Sequence, residues 1–554
     1  MTTFGGGPTH RVTNQPPPLV GRDVAQDVPL LEALFREGGG DHLDDLRRLG
    51  RLAGSAEAQQ WGEDANRHPP VLRTHDRYGN RIDEVDFHPS WHELLSVAVG
   101  AGLAGSAWSA GRAGAHVARA AGLVVWGQVE HGHLCPVSMT YAAVPVLRSA
   151  PDLAATYLPG LTSSVYDPGL RAPEGKRGLL AGMGMTEKQG GSDVRANETR
   201  ATPVGGGTYL LRGHKWFTSA PMNDLFLVLA QAPGGLSCLL VPRVLPDGSR
   251  NPFLIQRLKD KLGNRSNASA EPEFDGTLAH LVGQEGRGVR AIIDMVALTR
   301  LDSALGTASG MRAALVAAAH HVRHRSAFGS LLIDKPLMRN VLADLALESE
   351  AAIMLVMRVA GAVDRAEQGD ENERAFRRLA TGLAKYWLCK RQPAMVAEAL
   401  ECLGGNGYVE DSGLPRLYRE APLNGIWEGS GNVNALDVLR ALGREPASLA
   451  AYAAEVDAAA GGDRRLDEAW NRLRAELEAL LSGEPVELEL LARRLVERMA
   501  VVLQGALLVR HAPAAVADAF CAARVAGDAG LAFGTLPAGL DLDGVLRRIP
   551  AAAS

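Results

Sequence analysis

The chain is poor in cysteine and in lysine, and it has no long apolar run. Its 554 residues include five cysteines: Cys135, Cys238, Cys389, Cys402 and Cys521. They are scattered, odd in number and never at metal-ligand spacing. That excludes a disulfide framework and a cysteine-held metal centre, and it indicates free thiols in a reducing compartment. The apolar stretch from Ala351 to Val363 is interrupted by Arg358 and is too short to cross a bilayer. The first twenty residues are rich in Gly, Pro, Thr and Asn and lack the charged-then-apolar order of a signal peptide. These absences predict a cytoplasmic protein with no membrane partner. A strong charge excess is also missing: the formal net charge is −5, which by itself asks for no nucleic acid. There is no internal repeat and no long low-complexity linker.

With 46% hydrophobic and 22% charged residues, the composition is that of a globular protein, and the length calls for several domains. Residues 1–180 read as mostly helical. Apolar residues recur at helical spacing from Asp27 to Phe35, Asp41 to Leu52, Ser90 to Ala104 and Trp108 to Val129, with Pro136 and Pro145 as punctuation. Residues 181–288 change character. Short β-rich runs such as Leu225 to Ala230 and Leu236 to Val241 alternate with Gly/Pro turns, which predicts a compact β domain. Residues 289–445 return to long helices, from Ala291 to His324, Leu337 to Ala366, Glu373 to Leu403 and Asn432 to Leu442, a set that suits a four-helix bundle. Residues 446–554 read as a further helical domain. Its strongest helix is Leu466 to Leu481, and another follows Pro485. The fold class expected is α+β, mostly α.

Two stretches carry the most chemistry. In Met185-Thr186-Glu187-Lys188-Gln189-Gly190-Gly191-Ser192-Asp193, glycines permit close approach of a ligand to the backbone, and Thr186 and Ser192 offer hydroxyls. Lys215-Trp216-Phe217-Thr218-Ser219 then supplies a flat aromatic with a hydroxyl two residues on, which suits a flat, hydrogen-bonding ring system such as a flavin. Taken alone, the first would be an ordinary turn and Trp216 a core tryptophan. Together they resemble the flavin-binding segments of the acyl-CoA dehydrogenase family, and the resemblance runs nearly end to end. The wording of Lys261-Leu262-Gly263-Asn264-Arg265-Ser266-Asn267-Ala268-Ser269 points to the branch of that family that serves in the bacterial response to DNA alkylation.

The resemblance implies an acyl-CoA dehydrogenase fold in three domains, with the last hundred residues as an addition. It also implies FAD as cofactor, acyl-CoA as substrate, and a homotetramer built as a dimer of dimers. Met185, Thr186 and Ser192 then fall on positions that hold the pyrimidine end of the ring and the pyrophosphate. Trp216 and Phe217 lie at the ring face and Thr218 near N5. Arg325 and Phe328 match a motif that supplies a cation for the pyrophosphate and an aromatic for the adenosine half. A helix C-terminus ending at Gly329 explains the same residues. Gly404 and Gly405 match a loop that reaches the FAD of a neighbouring subunit; a plain Gly-rich link is the alternative. Glu401 stands where the family has glutamine, and no contact is assigned to it.

The segment Trp427-Glu428-Gly429-Ser430-Gly431-Asn432 falls on the catalytic turn, with Asn432 read as a helix N-cap. Glu428 matches the carboxylate that removes the α-proton of an acyl-CoA. One family group carries its base on an earlier helix; the matching position here is Thr299, which leaves Glu428 as the only candidate. No metal site is expected. The pairs His131/His133 and His320/His324 lack a completing acid and read as ordinary histidines, the latter on a helix surface. The run from Lys259 to Asn267 reads equally as a solvated loop or as part of the substrate entrance.

The alkylation-response branch also implies double-stranded DNA as a partner, through the appended domain. Residues 446–554 hold eleven arginines and no lysine against fifteen acids, a balance of −4. Candidate stripes, Arg464/Arg465/Arg472 and Arg493/Arg494/Arg498, are interspersed with acids. The alternatives to an alkylation-response flavoprotein are a catabolic acyl-CoA dehydrogenase, a DNA-binding protein that uses FAD structurally, and a flavin oxidase or monooxygenase.

Overall fold

The computed structural model describes residues 9–550. The first eight residues of the Gly/Pro-rich N-terminal stretch and residues 551–554 lie outside it.

The N-terminal third packs the helices Val28–Arg36, Leu43–Ala53, Ala56–Arg67, Pro89–Gly100, Ala115–Trp126, Leu134–Leu147 and Pro151–Leu161. The first is set by its own sequence. Asp27 accepts from the Leu30 N–H, Pro29 occupies the first turn, and Leu30, Ala33 and Leu34 form the buried stripe. Two expectations fail here, and one element was not foreseen. A two-stranded hairpin, Val71–His75 with Arg81–Asp86, interrupts the helices. The predicted helix from Trp108 starts only at Ala115, because Gly111 and Gly114 take left-handed φ of 63° and 81°. Pro136 and Pro145 do not punctuate; both lie inside Leu134–Leu147. Pro145 has no N–H to give the Tyr141 carbonyl one turn back, and the Trp108 indole Nε1 donates to that oxygen instead, at 2.8 Å.

In the middle, the strands Leu225–Ala232, Gly235–Pro242, Ser269–Val282, Thr208–His214 and Arg200–Gly205 pair in a closed ring. Closure leaves these five without an open edge. Phe226, Phe253 and Phe274 fill the interior with Leu211, Val228 and Val241. Two short strands dock on the ring. Ala181–Gly184 runs parallel to Leu225–Val228, and Thr218–Ser219 pairs with Ser269 and Ala270. They deliver the two chemistry-bearing stretches to one side of the barrel.

The long helices Gly288–His324, Pro336–Glu367, Glu371–Glu401 and the shorter Gly431–Arg444 form the bundle. Its apolar core continues without a break into the N-terminal helices and into the last segment, Pro446–Asp457, Arg464–Leu481, Pro485–His511 and Ala514–Phe520. Pro485 opens its helix, as proline can where no N–H is needed. Buried ions stitch the layers. Arg358 takes Glu373 in a fork at 2.7 and 3.0 Å and Glu455 at 2.7 Å. The far end of the chain returns to its beginning: Arg548 reaches Glu32 at 2.6 Å and Glu350 at 2.8 Å. Beside it Arg312 bonds both Asp27, at 2.8 Å, and the Arg548 carbonyl, at 3.2 Å. Among the described residues no helix is long and apolar enough to cross a membrane.

Candidate functional site

The two chemistry-bearing stretches are tied together from beneath. Glu187 and Lys215, both 0% exposed at their side chains, form an ion pair at 2.6 Å. The amine also donates to the Leu229 carbonyl at 2.7 Å. Burial alone would raise the Glu187 carboxyl, but Lys215 and the donated N–H groups of Glu198 and Thr199 hold it down to about 2. Burial lowers the Lys215 amine to about 8, with Glu187 opposing. Both stay ionised at neutral pH. Above this pair the Trp216 N–H donates to the Thr186 carbonyl at 2.8 Å. A side chain at position 191 would collide with the Thr186 hydroxyl, at 2.4 Å from a Cβ, so glycine is required there.

The upper surface of this assembly is open. Met185, Thr186 and Trp216 are half-buried, and Ser192 and Phe217 are exposed. The Lys259 ammonium covers one face of the Trp216 ring, 3.0 Å from its centroid. The Thr218 hydroxyl is buried with no partner among the described residues, an unfilled demand of the kind that a ligand satisfies. The run from Lys259 to Asn267 is not a solvated loop. Asn264, Ser266 and Asn267 are buried, with Ser266 donating to Glu130 at 2.8 Å and Asn264 to Glu420 at 2.7 Å.

Glu428 sits on a turn held by its carbonyls. Lys385 donates to the oxygens of Trp427 and Gly429 at 2.7 and 2.9 Å. Arg300 Nε donates to the Glu428 oxygen at 3.0 Å. Asn434 donates to those of Gly429 and Ser430 at 2.6 and 3.0 Å. This clamp keeps Glu428 at φ 57°, a left-handed conformation unusual for a residue with a side chain. The carboxylate accepts one bond, from the Thr299 hydroxyl to Oε2 at 2.7 Å. Burial pushes the Glu428 carboxyl above its ordinary range, against the opposing pull of Thr299, Lys385 and Arg300. Asn432 is exposed and does not cap the following helix. That helix begins at Gly431 with Ser430 as N-cap and no side-chain capping bond, and Asn434 instead donates back to the Ser430 carbonyl. Burial, reinforced by nearby Glu428, pushes the Cys135 thiol up to about 11, against the opposing pull of Ser219, Lys261 and Asn267.

Arg325, Phe328, Gly404 and Gly405 form a separate group. The helix ends at His324, and residues 326–331 make a hairpin whose tip is Phe328, 98% exposed, and Gly329 at φ 81°. The helix-end reading of Gly329 is therefore wrong. Gly404 and Gly405 are exposed on a 3-10 turn, Gly404–Tyr408. Among the described residues no group of three metal-ligating side chains is found. His320, however, is buried rather than on a surface, and its Nε2 bonds the Pro17 carbonyl at 2.7 Å.

Comparison with known proteins follows this layout along the chain. Residues 14–168 match the adaptive response protein AidB N-terminal domain, 182–277 the acyl-CoA dehydrogenase middle domain, and 286–443 the acyl-CoA dehydrogenase C-terminal domain. The AidB protein of Escherichia coli is 46% identical over 516 residues, covering 93% of this chain and 94% of its own. This chain belongs to the acyl-CoA dehydrogenase family, in its AidB branch. Acyl-CoA dehydrogenase family member 11 of Caenorhabditis elegans is 30% identical over 91% of this chain and 85% of its own. The crystal structure of the Caenorhabditis elegans protein ACDH-11 in complex with C11-CoA superposes with a TM-score of 0.84 at 28% identity, over 99% of this chain and 93% of that one. The middle-domain match spans the flavin-type motifs, and the C-terminal match spans the Glu428 turn.

Several residues of this acyl-CoA dehydrogenase-type site were not legible from motif spacing. Lys385 stands in a helical pattern with no motif around it, and Asn434 lies two residues beyond the Glu428 motif. A lone lysine between Ala384 and Tyr386, in an otherwise apolar stretch, was the available signal.

Proposed function

We propose that this protein is an FAD-dependent oxidoreductase of the acyl-CoA dehydrogenase type, in which Glu428 removes the α-proton of a bound acyl-CoA. The observation that carries the reading is the Glu428 turn. A buried-side carboxylate with a raised pKa is fixed by four successive carbonyl contacts, and it has one oxygen committed to Thr299. Oε1 is left to accept the proton. Burial by substrate would raise its basicity further.

The residues present fit FAD. The unpartnered Thr218 hydroxyl, the close approach at Gly191 and the half-buried Trp216 suit the ring. Met185, Thr186, Ser192, Phe217 and Thr218 would hold the ring and the near phosphate. Arg325, Phe328, Gly404 and Gly405 would hold the adenosine half. Trp427, Gly429, Ser430 and Asn432 would border the ring beside Glu428. When bound, FAD supplies an acceptor for the hydride leaving the β-carbon. Glu428 and Thr299 keep the proton acceptor aimed, and Lys385 and Arg300 keep the turn from relaxing. The C11-CoA bound by the nematode relative supports an acyl-CoA ligand. The exposed Phe328 and Tyr408 support assembly with further copies of the chain, as a tetramer.

We further propose a role in the response to DNA alkylation, supported by the adaptive-response family model matching residues 14–168. Direct DNA contact has less support. Nine of the eleven arginines between 446 and 550 are already ion-paired within the chain, including Arg464, Arg465, Arg472, Arg494 and Arg498.

Anaerobic absorbance titration with a panel of acyl-CoAs tests the enzymatic reading. Bleaching of the flavin by one of them, lost in Glu428→Gln, is the expected result. A flavin that dithionite reduces but no acyl-CoA bleaches would overturn it.

A further inference from the structure

The segment just before the first helix has no place in the mechanism above, yet it is fastened to the group that would meet the adenosine half of the cofactor. Asn14 stands at a left-handed φ of 57°. Its side chain pairs with the backbone of Ser326 in both directions, Nδ2 to the Ser326 oxygen at 2.9 Å and the Ser326 N–H to Oδ1 at 2.7 Å. Its own carbonyl accepts from Arg325 Nη1 at 2.5 Å. Asn14 is thus tied, through its side chain and its carbonyl, to the hairpin that carries Phe328. The next residue, Gln15, takes the Asn406 amide at 3.2 Å, on the Gly404–Tyr408 turn. Two residues later the Pro17 carbonyl accepts from buried His320 at 2.7 Å, which roots the segment in the bundle.

Two separate parts of the chain are therefore bridged by one extended arm. Both parts are otherwise free at their tips: Phe328 and Tyr408 are 98% and 85% exposed. A short hairpin and a Gly-rich turn are poorly preorganised by themselves, since glycine carries the largest conformational entropy to lose on ordering. Asn14 and Gln15 remove that freedom before any ligand arrives. Asn14 also fixes the direction of the Arg325 guanidinium while leaving its other N–H groups free to reach a phosphate.

We propose that the arm from Asn14 to Pro17 is a component of the dinucleotide site, positioning the Arg325–Phe328 hairpin and the Gly404–Tyr408 turn to grip the pyrophosphate and adenosine of FAD. This rests on the FAD reading above. It holds equally for a dinucleotide on the same chain or on a neighbouring copy.

The test is FAD affinity of the full-length apoprotein, measured by flavin fluorescence quenching, with gel-filtration light scattering in parallel. The double variant Asn14→Ala/Gln15→Ala should bind FAD at least tenfold more weakly. Its apoprotein should melt at the wild-type temperature, because both side chains are exposed. Val12→Ala, equally exposed on the same arm, should bind as wild type does. Limited proteolysis should find the arm cleaved more slowly once FAD is bound. An unchanged FAD affinity in the double variant overturns the proposal, and so does an equal loss in Val12→Ala. Wild-type protein that takes up no FAD refutes the cofactor reading itself, and this one with it.

Discussion

Replacing Lys385 by methionine keeps the length and apolar stem of the side chain and removes only the ammonium. In the native turn that ammonium serves the carbonyls of Trp427 and Gly429, on either side of Glu428. Hydrogen bonds to a charged donor contribute about 1.5–3 kcal/mol each, so about 3–6 kcal/mol of gross holding energy disappears. Part of this is returned, because burial disfavours the charged amine and depresses its pKa. Against the remainder stands the left-handed backbone at Glu428, which costs about 1–2 kcal/mol for a residue with a Cβ. Arg300 and Asn434 still hold the Glu428 and Ser430 oxygens. We work with a net loss of about 2–3 kcal/mol in favour of the aimed turn, which at 1.4 kcal/mol per decade is roughly a 30–100-fold fall in the population that can react. Stopped-flow reduction of the bound flavin by the acyl-CoA that works best on the wild type measures this directly. Urea unfolding of the same preparation reports whether the fold has suffered. The expected result is a fall in the limiting reduction rate with little change in substrate binding. A Lys385→Met protein that reduces within twofold of wild type would refute the idea that the lysine holds the base.

Other outcomes follow from single contacts. Thr299→Val removes the hydroxyl that stabilises the ionised Glu428, so the pKa of the base should rise, and the rising limb of the pH–rate profile should move to higher pH. Asp302→Ala strands Arg119, which it holds by a buried fork at 2.6 and 2.8 Å, and chemical denaturation should show a loss of about 3–5 kcal/mol. Glu420 is pushed up to about 7, by burial first and by Glu130 second. The folded state therefore prefers the protonated form. Wild-type stability should carry a contribution that is complete below the ordinary carboxylate range and falls away as pH rises toward 7, by up to about 3 kcal/mol. Glu420→Gln should flatten that slope in denaturation measured from pH 4.5 to 7.5.

What could be read from the sequence was the part written in repeating patterns or in compact motifs. The long bundle helices announce themselves because apolar residues recur over nine or ten turns, and their observed bounds, such as Gly288–His324 and Glu371–Glu401, differ from expectation by a few residues. The motif around Glu428 points to the turn, but not to the groups that hold it: Lys385 and Arg300 come from other points of the chain, and Asn434, two residues past the motif, acts like them on backbone atoms. The prolines of Leu134–Leu147 misled because the compensation lies far away in sequence, in the indole of Trp108. Polar residues misled in the same way. Nothing local distinguishes Asn264 and Ser266 from a solvated loop until Glu420 and Glu130 are known to face them. His320 looked like a surface histidine because the segment that covers it, around Pro17, has no pattern of its own.

The return of the chain's end to its beginning has a consequence in time. Glu32 and its partner Arg548 are 516 positions apart, and Asp27 of the same first helix depends on Arg312, itself bonded to the Arg548 carbonyl. During synthesis at about 5–20 residues per second, roughly half a minute to two minutes separates the emergence of that helix from the arrival of the residue that completes its ion pairs. Over that interval Asp27 gains Arg312 and the N-terminal helices gain the bundle helices they pack on, but Glu32 still waits for Arg548. Arg548 acts as the closing knot, so a message truncated before codon 548 should yield a chain whose first helix is never fully secured.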